Sequence, residues 1–546
     1  MVPHETSLRK EFLGGEPVRQ WCYRIERDAR LVLTVWGEER VDDGGQRLLS
    51  TWLRPATPGR LRQSSRGSYT HLVADPELRP LSYFVLDDRG RTQWSLKVRS
   101  EKATVRFSDG TEITVSTGGA RFLLGANALP QLAAMVAELG LAPGEVWEGV
   151  VFAPEPLSPL RYRLERVQGE ITTNLGEVIT LDGHGVSALA VSDRGVEARR
   201  SRSRRPGWPP IGDDGAVVAE ASPAPTSRYS PPPGVRVRDG MTPRRGGTPI
   251  GYSVASPARG KPLALALFAG GSGAHDRHGF AGELDLGYHE LLDRLAGRGL
   301  ASLRFDSRGA GATAIGRDAL EYGFEGKLAD ARRCRVVAER EAARLPSILA
   351  GHSEGGLVAL TLASEGAVPA GVITLALPAR DFGTVMIEQV RASAARLGLA
   401  PAATAARVRD LEELLDAARE VDDEHWQAGA VSDRLLPRRA LARYFRDLLD
   451  YDARKLVASL RCPLLIVHGE DDQQVPVAEA TELERTARAA GVEVELALIP
   501  GANHLLRSSG SPPSIEDYYD RRRRIKREAV AAIAGWVRSL VVPTSP

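Results

Sequence analysis

From Val235 onward, short apolar runs alternate with stretches of helical period, and this rhythm restricts the fold more than any other feature. Residues 263–268, 301–305, 347–350, 371–377, 463–467 and 492–499 read as buried strands. Residues 288–296, 326–345 and 356–364 read as helices between them. Strands apolar on both faces need cover on both, and parallel neighbours need helical crossovers. The pattern therefore predicts an α/β fold: a mostly parallel sheet with helices on both faces. Residues from 382 to about 460 break the alternation. They read as helical throughout, which predicts a helical cap inserted beyond the strand ends.

The first 200 residues have a different rhythm. Period-two or β-rich runs recur, for example at 31–36, 81–86, 93–98, 103–107, 161–167 and 186–191. Turn residues such as Ser108-Asp109-Gly110 and Asp182-Gly183 separate them. One helix is expected at 129–139. This is the pattern of an antiparallel meander or open barrel. A basic cluster at 199–205 and prolines at 206, 209, 210 and 231–233 then mark an exposed linker. The predicted organisation is a β-rich accessory domain at 1–198, an Arg/Pro-rich linker at 199–233 and a catalytic domain at 234–546.

Composition excludes several classes. The net charge is +2, too small for a field that gathers nucleic acid or anionic lipid. No apolar run approaches the roughly 20 residues that span a bilayer. The N-terminal sequence MVPHETSLRK lacks the apolar core of a secretory signal, and the three cysteines, Cys22, Cys334 and Cys462, are far apart. A cytoplasmic, reducing location is expected. The pattern does not specify an oligomeric state.

Gly351-His352-Ser353-Glu354-Gly355 fits G-x-S-x-G, between an expected strand and an expected helix. A sharp turn there lifts the Ser353 hydroxyl above the sheet at a helix N-terminus. A serine needs a base to become a nucleophile. His504, in Gly501-Ala502-Asn503-His504, is the one histidine beyond His468, and it follows the last expected strand. The acid that orients it belongs after the preceding strand, where Glu470, Asp471 and Asp472 compete. The developing oxyanion needs N–H donors. Glu354, directly after the nucleophile, supplies one. The loop Gly270-Gly271-Ser272-Gly273 supplies the other, from Ser272 with Gly271 as neighbour. Arg304 and Asp306 form an expected pair at the loop floor. His275, Asp276, Arg277 and His278 include metal-capable types but lack a third spaced ligand set, so no metal is expected.

These residues resemble the α/β-hydrolase superfamily, more narrowly bacterial capped serine esterases of the serine aminopeptidase-like and dienelactone hydrolase-like branches. The resemblance covers residues 235–541. It rests on five motifs in the family's order: GGSGAHDRHG at 270–279, RFDSRGAG at 304–311, GHSEGG at 351–356, HGEDDQQVP at 468–476 and GANH at 501–504. Within G-E-x-D-x-x-V-P the family's acid falls on Asp472. One departure is Gly270, where the family usually has histidine. Some esterases of this branch carry an N-terminal antiparallel β domain, which the first 198 residues could match.

The expectation is a serine hydrolase that cleaves small to medium hydrophobic carboxylic esters through an acyl-enzyme. Ser353, Asp472 and His504 act as the triad, with no cofactor; the partner is a small-molecule ester. The same triad serves aminopeptidase-like peptidases, thioesterases and acyltransferases. A ligand-binding receptor on a hydrolase scaffold is the non-enzymatic alternative.

Overall fold

The structure, a computed structural model, describes residues 16–27, 30–55, 68–86, 92–107, 110–125, 129–154, 158–174, 177–191, 196–202, 229–245, 247–281, 284–316, 322–342, 344–396, 401–420, 439–514, 517–518, 520 and 522–542. The chain divides into two compact units: residues 1–223 with 390–442, and residues 224–389 with 443–546.

The first unit holds a fifteen-stranded sheet in which almost every strand pairs antiparallel with its sequence neighbour. Two meanders meet where strand Glu16–Arg27 pairs with Val196–Arg200. The expected helix is present as Leu129–Leu139, with Leu132, Met135 and Val136 buried. Cys22, Trp36, Trp52 and Tyr69 form an aromatic cluster, with the Trp52 and Tyr69 rings stacked 5.5 Å apart. Strand Arg47–Pro55 breaks simple alternation because Arg47, Ser50 and Thr51 are buried on it. Arg47 is held there by ion pairs to Glu39 and Glu138. Sheet pairing continues through Arg199 and Arg200, at the start of the expected linker. Residues 203–228 of that linker lie outside the described residues.

The second unit is an eight-stranded sheet. In chain order its strands are β1 (Val235–Met241), β2 (Gly251–Pro257), β3 (Ala264–Ala269), β4 (Leu300–Phe305), β5 (Ser347–His352), β6 (Gly371–Leu375), β7 (Leu464–Gly469) and β8 (Val494–Ile499). Their spatial order is β1-β2-β4-β3-β5-β6-β7-β8. β2 runs antiparallel to its neighbours β1 and β4, and β3 to β8 are parallel. β3 to β7 are buried almost throughout, as their unbroken apolar runs require. One face packs against helices Phe324–Glu341 and Glu354–Ser364 through Leu267, Leu328, Leu357 and Leu360. The other packs against Tyr288–Ala296 and Arg527–Val541 through Phe268, Leu292, Ile533 and Trp536. The parallel strands end at one edge of the sheet, where loops after β3, β5, β7 and β8 gather the candidate residues.

Helices Phe382–Arg396, Pro401–Glu420 and Arg439–Leu449 occupy the predicted cap segment, and residues 421–438 of it lie outside the described residues. Among the described residues no helix is long and apolar enough to cross a membrane.

Candidate active site

Ser353 stands between β5 and helix Glu354–Ser364 with φ 52° and ψ −123°. A non-glycine residue rarely adopts positive φ, and holding it there costs about 1–3 kcal/mol. The surrounding backbone enforces it. The Ser353 N–H donates to Leu375 O at 2.7 Å, and its carbonyl accepts the Gly356 N–H at 2.8 Å. The flanking glycines are required by space: a Cβ on Gly351 would lie 1.8 Å from Gly355 O, and one on Gly355 would lie 2.2 Å from Ala269 O.

Asp472 follows β7 and is buried. Its Oδ1 accepts the N–H groups of Gln474 at 2.8 Å and Val475 at 2.9 Å. Its Oδ2 lies 2.7 Å from His504 Nδ1. Burial pushes the Asp472 carboxyl up, but His504, His468 and the Val475 N–H outweigh it and hold the group below the usual carboxylate range. The competing carboxylates go elsewhere. Glu470 is exposed, and Asp471 accepts the Ser509 hydroxyl. With Asp472 ionised, His504 Nδ1 carries the proton and Nε2 keeps a lone pair. Asn503 shapes the His504 loop, because its buried Oδ1 accepts the N–H groups of Leu505 and Arg507 at 3.0 and 3.1 Å.

A hydrogen-bond chain links the His504 loop to the loop after β3. His352, beside the nucleophile, places Nε2 2.8 Å from His504 O and Nδ1 2.9 Å from Tyr288 Oη. A carbonyl only accepts, so Nε2 carries the proton. Burial lowers His352 to about 3, the ring stays neutral, and Tyr288 O–H donates to the bare Nδ1. Tyr288 Oη in turn accepts the Gly271 N–H at 3.0 Å. The Gly271 N–H, expected as a neighbouring oxyanion donor, is thus bonded to Tyr288 in this structure. The Ser272 N–H has no acceptor among the described residues, and the Glu354 N–H opens a helix, where first-turn donors lack intrahelical partners.

Gly270, the departure from the family pattern, has a spatial reason. A Cβ there would lie 2.2 Å from His275 Cε1, so the His275 imidazole fills that space. The other members of the His275 cluster are structural. Asp276 accepts the N–H groups of His278 and Phe280, both at 2.9 Å. The expected Arg304–Asp306 pair is not formed. Asp306 instead receives Arg277, with Nε on Oδ1 at 2.9 Å and Nη2 on Oδ2 at 2.7 Å. Arg304 lies 3.1 Å from Asp293 with its guanidinium over the Tyr229 ring. Arg304, within β4, meets a partner on helix Tyr288–Ala296, whereas Asp306, just beyond β4, meets one on the loop after β3.

Residues 277–508 match the family model described as "Hydrolase_4: Serine aminopeptidase, S33". The C-terminal unit has the α/β-hydrolase fold. Its relatives include hydrolases with different printed activities. The chain is 29% identical to "Monoacylglycerol lipase" of Mycolicibacterium smegmatis over 267 residues, 47% of this chain and 87% of that one. It is 23% identical to "Esterase EstD" of Thermotoga maritima over 289 residues, 52% of this chain and 63% of that one. It is 36% identical to "Uncharacterized peptidase YuxL" of Bacillus subtilis over 80 residues, 15% of this chain and 11% of that one. The hydrolase unit thus spans most of the lipase but only a small part of the peptidase.

Motif reading of this α/β hydrolase missed three side chains that shape the site: Tyr288, Asn503 and Lys327. Lys327 Nζ donates to Gly270 O at 3.0 Å, Gly271 O at 2.7 Å and Glu354 Oε1 at 2.6 Å. Asn503 lay inside a quoted motif. The other two lie on helices outside all five motifs.

Proposed function

We propose that this α/β hydrolase is a carboxylesterase-type serine hydrolase acting through an acyl-enzyme. Ser353 Oγ attacks the ester carbonyl. His504 Nε2 takes the serine proton and passes it to the departing alcohol. Asp472 keeps Nδ1 protonated and stabilises the imidazolium. The N–H groups of Glu354 and Ser272 receive the oxyanion. A water then gives its proton to His504 and attacks the acyl carbonyl, releasing the acid and restoring Ser353. The observation that carries this reading is the 2.7 Å His504–Asp472 hydrogen bond, on a loop bonded through His504 O to His352, the residue before a serine on a strained strand-to-helix turn.

We assign catalysis to 234–546 and an accessory role to the β-rich residues 1–198, with the helical segment 382–460 as the cap. The apolar composition of that segment favours small to medium hydrophobic esters. Esterase and lipase relatives support ester cleavage. The serine aminopeptidase description of the matching family favours a second reading, cleavage of a peptide at its free amine. Glu412, Glu413 and Asp416 are then candidate amine partners, while the Glu420 side chain and Asp422, Asp423 and Glu424 lie outside the described residues.

The test is a panel of p-nitrophenyl esters of increasing acyl length beside aminoacyl-naphthylamides, run with Ser353→Ala and His504→Ala. Ester turnover that both substitutions abolish supports the first reading. Naphthylamide turnover alone supports the second, and undiminished turnover in either variant overturns both.

A further inference from the structure

We propose that Lys327 is a positioning residue that locks the two halves of the oxyanion hole together through a buried ion pair with Glu354. The proposal rests on the serine-hydrolase reading above. Lys327 lies on helix Phe324–Glu341, outside every motif of the site.

Its ammonium has three protons and three acceptors, the carbonyls of Gly270 and Gly271 and Glu354 Oε1. The second carboxylate oxygen, Glu354 Oε2, accepts the Ser272 hydroxyl at 2.7 Å. The Glu354 side chain is fully buried, and that of Lys327 is 13% exposed. One cation therefore binds the loop after β3, and its counter-ion belongs to the residue whose N–H is the other oxyanion donor.

Peptide geometry shows what this clamp controls. In a trans peptide the C=O and the following N–H point in opposite directions. The Gly270–Gly271 peptide gives its C=O to Lys327 and its N–H to Tyr288 Oη. The Gly271–Ser272 peptide also gives its C=O to Lys327, so the Ser272 N–H is aimed to the opposite side. Anchoring the Ser272 hydroxyl to Glu354 fixes the far end of that peptide. A neutral side chain at 327 would leave the Gly270 carbonyl unheld and the Gly271 carbonyl with only the longer contact to His275 Nε2 at 3.3 Å, and so loosen the second peptide. An oxyanion donor helps only when it is already oriented as charge develops, so loss of the clamp weakens transition-state binding more than substrate binding.

The test uses the full-length protein with p-nitrophenyl butyrate as substrate and a trifluoromethyl ketone as a transition-state mimic. Lys327→Met removes the clamp. Because it strands a buried carboxylate, Lys327→Met/Glu354→Gln removes both charges, and Ser272→Ala cuts the hydroxyl link without changing charge. Active sites are titrated with a fluorophosphonate, so that kcat refers to folded, competent serine. The expected result for the charge variants is a kcat about 100-fold lower, KM within about threefold of wild type, and ketone affinity falling in parallel with kcat. Ser272→Ala is expected to show the same split at about tenfold, and it decides the matter if neither charge variant folds. Wild-type kcat per titrated serine and unchanged ketone affinity in a folded variant would overturn the clamp, even if thermal stability drops. Wild-type protein that neither turns over the ester nor labels at Ser353 would instead overturn the hydrolase reading, and the clamp with it.

Discussion

His504 Nδ1 and Asp472 Oδ2 lie 2.7 Å apart, on residues 32 positions distant in sequence, with the carboxylate also held by two backbone N–H groups. This triple anchoring leaves Oδ2 one orientation and gives the imidazole one tautomer. Asp472→Asn preserves the shape but offers a donor or a weak acceptor to Nδ1, so the wrong nitrogen carries the proton. Its kcat is expected to fall by about 10⁴-fold. Glu470→Gln and Asp471→Asn, measured in the same ester assay, should stay within about tenfold of wild type, because neither carboxylate meets His504.

Tyr288→Phe isolates the link between the oxyanion loop and the histidine. It leaves the Gly271 N–H and His352 Nδ1 without their partner inside a buried site. Each stranded polar group costs about 1–3 kcal/mol. Urea unfolding should show a loss of at least about 2 kcal/mol with an unchanged slope, whereas the wild-type midpoint would show that the chain carries no stability.

The competing carboxylates show where legibility ended. Motif order left three neighbouring carboxylates after β7, and only the family resemblance placed the acid on Asp472. The contact of Asp472 with His504 arises only when the loops after β7 and β8 are brought side by side. Lys327 was unreadable for a related reason: nothing distinguishes a lone lysine on a helix until Gly270, Gly271 and Glu354 converge on it from 27 to 57 residues away. By contrast, β3 to β8 were legible as apolar or β-rich runs, five of them buried almost throughout, and the helix Tyr288–Ala296 was read to the residue. β1 escaped because Val235–Met241 (VRVRDGM) is an antiparallel edge strand with little to bury, and β2 because its buried residues, Gly251, Ser253 and Ala255, are small rather than strongly apolar. In the N-terminal sheet, strand Arg47–Pro55 escaped because buried ion pairs put charge where a pattern reading expects apolar residues.

His352 makes stability depend on pH with a definite sign. Its ordinary value of 6.5 falls to about 3 in the folded protein, through burial first and the neighbouring His504 second. Between those values the unfolded chain binds a proton that the folded protein refuses. Unfolding free energy therefore falls by about 1.4 kcal/mol per pH unit from this group as pH drops below 6.5, and is unaffected by it above. His352→Gln keeps an N–H for His504 O and cannot titrate. Its stability measured from pH 7 to pH 4 should fall less steeply than wild type by about that slope. Parallel profiles would contradict the assignment.

Arg277 and Asp306 form a buried ion pair in the loops behind the site, with side chains 7% and 0% exposed. Asp306 also accepts the Arg277 and Ala312 N–H groups and the Thr313 hydroxyl. Removing one partner leaves a buried charge without compensation, so Arg277→Met is expected to lose about 3–5 kcal/mol of stability. Arg308→Met, at a paired arginine on the loop that carries Asp306, provides a comparison; equal losses would deny Arg277 its special weight.

The central claim is that Ser353 is a nucleophile activated by His504. The most direct measurement is mass-spectrometric mapping of the adduct left by a fluorophosphonate on the full-length protein. The account predicts one modified residue, Ser353, with labelling abolished in Ser353→Ala and slowed at least about 10³-fold in His504→Ala. An adduct on another residue, no adduct at all, or labelling of Ser353 at the same rate without His504 would contradict it.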